Sequence, residues 1–488
     1  MSPLNSCFAA GRLHGGLSSL TTSRSLRRRL FVAAFAALAA PLLSLAAGTS
    51  EANAAGLIIG AGQQLIAADP ADFKNFGLAV AIDGDAAAVG APEDTTRGES
   101  AGAVYLFVRS AGTWQPHSTP KVFGPDGAAA DNFGASVALS GGVMVVGAPS
   151  RSSTAGTAYI FRRAAAAATS AWSAEQQLTP AGLLPADNFG NSVAVSGDTA
   201  IIGSPGDTTN SGAAYVFFRT GGNPLWTAQG SKLVASPRVP EASFGLSVAL
   251  DADTALVGSP AQTDPGAAFI FQRSGATWSA GQSLVVPPAL GTPISGDTFG
   301  RAVTLSGNWA LVGAPGTNVN FVSDAGSAFF FERVGTTWTA RQRIDTPTAV
   351  DTGEFGTSVA LSGTRVAVGA PLENNEKGQV HIYSRSATTW TRTTPPIGFI
   401  GSEFAGFGSA VAVSPNAVLT GAAQEPCVQQ VCEGEGAAYV FSLSDLPPVP
   451  LMGARAAAVL VGLLVIAGSI LRRQRRETRR TSAAGAPV

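Results

Sequence analysis

Charge is what this chain has least of. Charged residues make up 13% of its 488 positions, about half the share usual for a soluble domain. Histidine and cysteine number three each, which leaves little material for metal chemistry or a Ser-His-Asp machine. His14 lies in the leader, so only His117 and His381 remain in the body of the chain. No Gly-rich phosphate loop or zinc-binding helix motif stands in the strand-to-helix context its chemistry requires. The residues therefore read as a protein that is not an enzyme and carries no cofactor.

Basic residues are scarce in the middle. Twelve of the 31 Lys and Arg, but two of the 32 acids, lie in residues 1–54 and 446–488. The stretch 55–445 keeps 19 bases and 30 acids, a net charge of −11. Binding to a phosphate backbone rests on clustered Lys and Arg, so nucleic acid is excluded as a partner. Glycine (58) and proline (30) are abundant, and the apolar fraction is 45%. Such a chain turns often and still buries a large core.

The two ends read as addresses. Arg24 and Arg27 to Arg29 precede an uncharged run from Leu30 to Leu45, and Ala52-Asn53-Ala54 supplies small residues for cleavage. Residues 1–54 are thus expected to be a signal peptide cut between Ala54 and Ala55. Arg28-Arg29-Leu30-Phe31-Val32 also resembles a twin-arginine export signal. At the other end, residues 446–454 form a Pro-rich stalk and 455–471 an apolar segment read as a transmembrane helix. The Arg-rich tail 472–488 is expected to stay cytoplasmic, which puts 55–445 outside the membrane. The expected location is the cell envelope or cell surface. Pro-containing motif, apolar helix and arginine cluster together resemble C-terminal sorting signals of bacterial surface proteins.

A repeat fills the middle. Phe-Gly occurs at 76, 133, 189, 244, 299, 355 and 407, at spacings of 52 to 57 residues. Fourteen residues after each Phe stands Gly-Ala-Pro or a near relative, from Gly90-Ala91-Pro92 to Gly421-Ala422-Ala423. A period of this kind signals a solenoid, a propeller or a tandem array. Within a unit the pattern is β. Ser136-Val137-Ala138-Leu139 alternates, Val143 to Val146 is an apolar run, Gly156 to Phe161 alternates with aromatics, and Trp172 to Leu178 makes a fourth run. Four strands per unit and seven units predict an all-β, seven-bladed β-propeller, because radial closure leaves few exposed edges. The last unit lacks a fourth strand, whereas Gln63-Gln64-Leu65 matches Gln176-Gln177-Leu178 and precedes the first Phe-Gly. The N-terminal strand is therefore expected to complete the seventh blade.

These landmarks resemble the FG-GAP repeats of integrin α-subunit propellers and of many bacterial secreted proteins. The resemblance implies binding or adhesion at the cell surface. The partner it implies is an unidentified surface macromolecule, protein or polysaccharide, with the propeller itself monomeric. Two alternatives stand beside this reading: a structural envelope or matrix protein without a discrete ligand, and a carbohydrate-active enzyme. Several FG-GAP proteins carry an Asp-x-Asp-x-Asp-Gly calcium loop, and here that motif is missing. Asp83 with Asp85, and Asp251 with Asp253, are its weak remnants. Two carboxylates fall short of the six to eight oxygens calcium takes, so these acids read as turn residues bonding their own backbone.

Acids also recur just before Phe-Gly, at Asp72, Asp131, Asp187, Glu241, Asp297, Glu354 and Glu403. They are expected to satisfy amide groups in the turn that enters each blade. His117 is expected in a solvated loop, and His381 in a blade at a position held elsewhere by Tyr or Phe. Cys427 and Cys432 are expected to form a disulfide in an oxidising compartment.

Overall fold

The structure is a computed structural model that describes residues 57–445 apart from 68, 70–73, 166, 221–224, 399–404 and 425–435. The leader with Ala54 and Ala55, the stalk, the 455–471 segment, the Arg-rich tail, and Cys427 with Cys432 lie outside the described residues.

Blade 2 shows how the repeat folds. Ser136–Ser140, Val143–Ala148, Thr157–Arg163 and Trp172–Leu178 form a four-stranded antiparallel sheet in that order. The second strand, Val-Met-Val-Val-Gly-Ala, is buried at every position. It is apolar on both faces because a neighbouring blade covers each. Ser140-Gly141-Gly142-Val143 turns tightly between the first two strands, with Gly141 at φ 57° and Gly142 at φ 88°. Six blades repeat this arrangement along the chain. Blade 4 departs at its rim, where Thr277–Trp278 and Gln282–Ser283 pair separately with the third strand.

Blade 7 is built from both termini of the ring. Phe407–Ser414, Ala417–Ala422 and Ala437–Asp445 supply three strands, and Leu57–Leu65 pairs antiparallel with the last of them. Gln64 lies opposite Tyr439, as Gln177 lies opposite Tyr159 in blade 2. The innermost strands of successive blades lie side by side, and Phe407–Ser414 returns to Ala79–Asp83. The protein is a closed, seven-bladed β-propeller, and its all-β class is the one the repeat predicts.

The core is divided into seven clusters, one between each pair of neighbouring blades. One of them joins Leu65, Phe76, Val89 and Tyr105 to Leu419 and Val440 across the seam of blades 7 and 1. Each Phe of Phe-Gly packs its ring on the third strand of its own blade. Phe133 meets Tyr159 and Phe161 edge-on at 5.6 and 5.9 Å, and Phe189 meets Tyr215 and Phe217 at 5.4 and 6.2 Å. Such pairs add about 0.5–1.5 kcal/mol each beyond area burial.

The paired glycines have a shared cause. A Cβ on Gly203 would sit 2.0 Å from the Gly245 carbonyl oxygen of the next blade, and one on Gly421 would sit 1.8 Å from that of Gly77. The Gly of Gly-Ala-Pro is thus where one blade's backbone meets the Phe-Gly of the next, and only glycine leaves room. Serine reinforces four of these seams. The hydroxyls of Ser136, Ser192, Ser247 and Ser358 donate to the carbonyls of Gly190, Gly245, Gly300 and Gly408 at 2.7–2.9 Å. At the rim, Gln63 clamps the backbone of Trp114 through both its amide atoms, and Gln176 and Gln342 clamp Trp226 and Trp390 the same way.

Candidate binding face

Alternating strand direction divides the connections between two faces. One face carries the hairpins from first to second strand, all tight, and from third to fourth, tight except in blades 2 and 3, where eight residues join Arg163 to Trp172 and Phe218 to Thr227. The other carries the longer loops: those after each Gly-Ala-Pro and those leading into each Phe-Gly. Loops held by a rigid scaffold are the usual place for recognition.

The hairpin face holds the calcium remnants, each already engaged. Asp83 Oδ2 accepts the Gly141 amide at 2.7 Å and Asp251 Oδ2 the Gly307 amide at 2.5 Å. Both bonds reach the turn of the next blade and not the residue's own backbone, which corrects the sequence reading. Ser140, Ser196 and Ser306 make the same reach to Gly197, Ala252 and Gly363. Asp85 and Asp253 accept from Arg109 and Arg273 within their own blades. Among the described residues no three His, Cys, Asp or Glu side chains are grouped to hold a metal ion.

The acids before Phe-Gly lie on the loop face. Asp131, Asp187 and Asp297 are buried, and each accepts the amide three residues earlier, of Ala128, Leu184 and Ile294, at 2.7–2.8 Å. This is the turn-satisfying role expected of them. Glu241 and Glu354 have no such bond; Glu241 instead accepts from Asn210 at 2.8 Å. Asp72 and Glu403 fall outside the described residues.

Sequence reading missed a second polar position. The residue two after the Gly-Ala-Pro proline points at the first aromatic position of the third strand. Asp94 accepts the Tyr105 hydroxyl at 2.8 Å, Asp207 accepts Tyr215 at 2.6 Å, and Glu373 meets His381 Nε2 at 2.7 Å. Where the aromatic is Phe269 or Phe329, the partner position holds Gln262 or Thr317. The signal was legible in the repeat: an acid occurs there opposite a Tyr or His. Blade 2 varies the theme, because Arg151 takes the place of the acid and pairs with Asp126 and Asp131, while Tyr159 donates to Asp126.

These acids are matched by cations. Asp94, fully buried, is paired with Lys74 at 3.1 Å and Lys121 at 2.7 Å. Burial alone would raise its pKa, but hydrogen bonds from Lys121, Thr96 and Tyr105 outweigh burial and hold the carboxyl below the usual range. Asp207 behaves alike: burial opposes its charge, and bonds from Lys232, Thr208 and Tyr215 prevail. Burial and the neighbouring carboxylates push the Tyr105 and Tyr215 phenols up, so both stay protonated donors. His381 and His117 are buried, contrary to the solvated loop expected for His117, whose Nδ1 accepts the Thr119 amide at 2.9 Å.

Blade 5 is different. Its loop after Gly-Ala-Pro runs from Gly316 to Ala325 and contains a two-residue hairpin. Val319 and Val322 exchange both backbone bonds, at 3.0 and 2.9 Å. Asn320 and Phe321 occupy the turn at φ 51° and 67°, and the Phe321 ring is fully exposed. The hairpin returns through Asp324, whose amide donates to Asn318 Oδ1 at 3.0 Å. Beside it runs an open groove lined by Gly296, Thr298, Arg301, Gly316, Asp324, Glu354 and Thr357. The facing turn carries exposed Ile294 and is held by Asp264, which accepts from Ser295 and from the Gly296 amide at 2.8 Å. Those two bonds lower the Asp264 pKa.

The fold and its seams define a propeller in which each Phe-Gly is stapled to the Gly-Ala-Pro of its neighbour. The chain belongs to the FG-GAP repeat family, which matches residues 60–107, 118–161, 172–217, 226–271, 294–331 and 338–383, together more than half of its length. Most of these segments start in the outer strand of one blade and end in the third strand of the next. The sequence repeat is thus staggered against the blade, and a leading outer strand in blade 7 is its natural consequence. No curated protein matches the chain.

Proposed function

We propose that this chain is an exported, membrane-anchored propeller that binds a macromolecule at the cell surface through its loop face, without turnover. The observation that carries this reading is Phe321. Its ring is fully exposed and its backbone is left-handed, a conformation that costs a non-glycine residue about 1 kcal/mol or more. A hydrogen-bonded hairpin holds the ring out in spite of both penalties. Rigid aromatics of this kind anchor interfaces, because they offer contact area with little rotamer entropy to lose.

The strand directions support the anchoring. Leu57 pairs with Asp445, so both described termini leave from the hairpin face. A stalk at 446–454 leading to a span at 455–471 then sets that face toward the membrane and the loop face outward. Among the described residues no helix is long and apolar enough to cross a membrane, and the proposed span lies beyond them. Calcium is not called on, since Asp83, Asp85, Asp251 and Asp253 are each bonded within the protein. The test is saturation binding of the labelled full chain to whole cells and envelope fractions, repeated with chelator. Saturable, chelator-insensitive binding is expected. Non-saturable uptake at every concentration overturns the reading in favour of a structural envelope component.

A further inference from the structure

We infer that the groove between the Phe321 hairpin and the turn at Ile294 takes a segment of a neutral polysaccharide chain. This inference rests on the binding reading above and gives it a ligand class and a place.

The groove presents polar groups of opposite charge to solvent. Among the described residues the Arg301 guanidinium makes no hydrogen bond or ion pair, and the Asp324 carboxylate accepts no hydrogen bond. Among the described residues the Glu354 carboxylate receives only a long contact from the Thr357 hydroxyl, at 3.4 Å, which also donates to the Glu354 carbonyl at 2.9 Å. The buried acids of the loop face are engaged within the protein, as Asp94 and Asp207 are by cations. A donor fork and two acceptors that line one groove without pairing match a ligand whose groups both donate and accept. Hydroxyls do this, and neighbouring hydroxyls on a sugar ring fit a guanidinium or a carboxylate two at a time.

Phe321 stands outside the groove lining, on the hairpin whose base at Gly316 and Asp324 borders it. It offers the remaining half of the chemistry to a chain that runs on past the groove. The faces of a pyranose ring present C–H bonds, which pack on the electron-rich face of an aromatic ring. The groove is open to solvent, with Gly296, Arg301 and Asp324 exposed, so it suits a chain lying across the surface better than a small molecule enclosed by it. Charge selects among polysaccharides. Two carboxylates face one guanidinium, on a body of net charge −11. A polyanion is repelled, whereas a neutral glycan is not.

The test uses the full chain purified in detergent, with immobilised laminarin and mannan as neutral probes and alginate as the anionic one. Wild type is expected to bind a neutral probe saturably and alginate at least tenfold more weakly. F321A and R301A are expected to lose at least tenfold in affinity with an unchanged melting temperature. F321Y is expected to retain binding, and L184A, an exposed residue in another sector of the same face, to leave it unaltered. Wild type that ignores both neutral glycans while still saturating on envelope fractions overturns the ligand class and leaves the binding reading standing. Neutral-glycan binding unaffected by F321A and R301A overturns the assigned groove. Preference for alginate overturns the charge argument.

Discussion

Blades 3 and 5 share one frame and use it differently. Both place a Phe-Gly glycine against the preceding Gly-Ala-Pro, and both pack the Phe on two aromatics of the third strand. In blade 3 the loop after Pro205 is closed by Asp207, which holds Tyr215, Lys232 and Arg238. In blade 5 the equivalent residues are Thr317 and Phe329, and no ion pair closes the loop. Four more residues than in blade 3 separate the proline from the glycine of the third strand, and they make the hairpin that carries Phe321. The frame tolerates this because its seams involve backbone and glycine, not loop residues. The difference between these two blades falls on the loop face, where blade 3 satisfies a buried charge internally and blade 5 holds none at that position.

The largest effect should come from breaking what the two blades share. Gly203→Val and Gly313→Val each drive a side chain into a carbonyl 2.0 or 2.1 Å from the Cβ, and both are expected to cost more than about 4 kcal/mol in chemical denaturation. If one of them is tolerated, the equivalence of the seams fails. Removing the clamp that blade 3 has and blade 5 lacks comes next. Asp207→Ala leaves two cations and a half-buried phenol without their acceptor, an expected loss of about 3 kcal/mol. Thr317→Ala, its counterpart, should cost about 1 kcal/mol by the same measurement.

Acid sharpens the contrast with a smaller effect. Folded Asp94 and Asp207 sit below the ordinary carboxylate pKa. Their contribution is full above about pH 4 and is lost as pH falls through their lower folded values. Asp297, at the turn into blade 5, is shifted upward by burial, against the pull of the Ile294 amide. Its contribution has the opposite sign: present at low pH and lost as pH rises through the raised value. Melting temperatures from pH 7 to pH 2.5 should therefore fall less steeply for Asp207→Asn than for wild type, while Asp297→Asn should not flatten the acid limb. The smallest effect is a gain. Phe321→Gly relieves a left-handed residue and should raise stability by up to about 1 kcal/mol while it abolishes binding.

The sequence carried the frame well because the frame is periodic. Seven Phe-Gly and Gly-Ala-Pro pairs mark where the backbones meet, and Gln63-Gln64-Leu65 marks an outer strand displaced to the start of the chain. The acids before Phe-Gly were legible too, since each of Asp131, Asp187 and Asp297 acts within its own turn. Contacts between blades were not. Asp83 and Asp251 bond a turn 56 or more residues away, and no local pattern names that partner. His117 looks solvated beside two prolines, yet in its strand, Thr113–Val122, it is buried. Phe321 was visible as an aromatic in a polar loop. Its display depends on Val319 pairing with Val322, and on Asn320 and Phe321 taking the left-handed turn, which propensity alone disfavours for Phe.

The central claim is that the loop face around blade 5 meets the partner while the hairpin face does not. Hydrogen–deuterium exchange of the full chain, with and without a saturating envelope fraction, tests it most directly. New protection is expected in 294–301, 316–326 and 354–357, with the turns at 83–86, 140–143 and 196–199 unchanged. Protection at those turns, with the blade 5 loops exchanging as in the free protein, would contradict it.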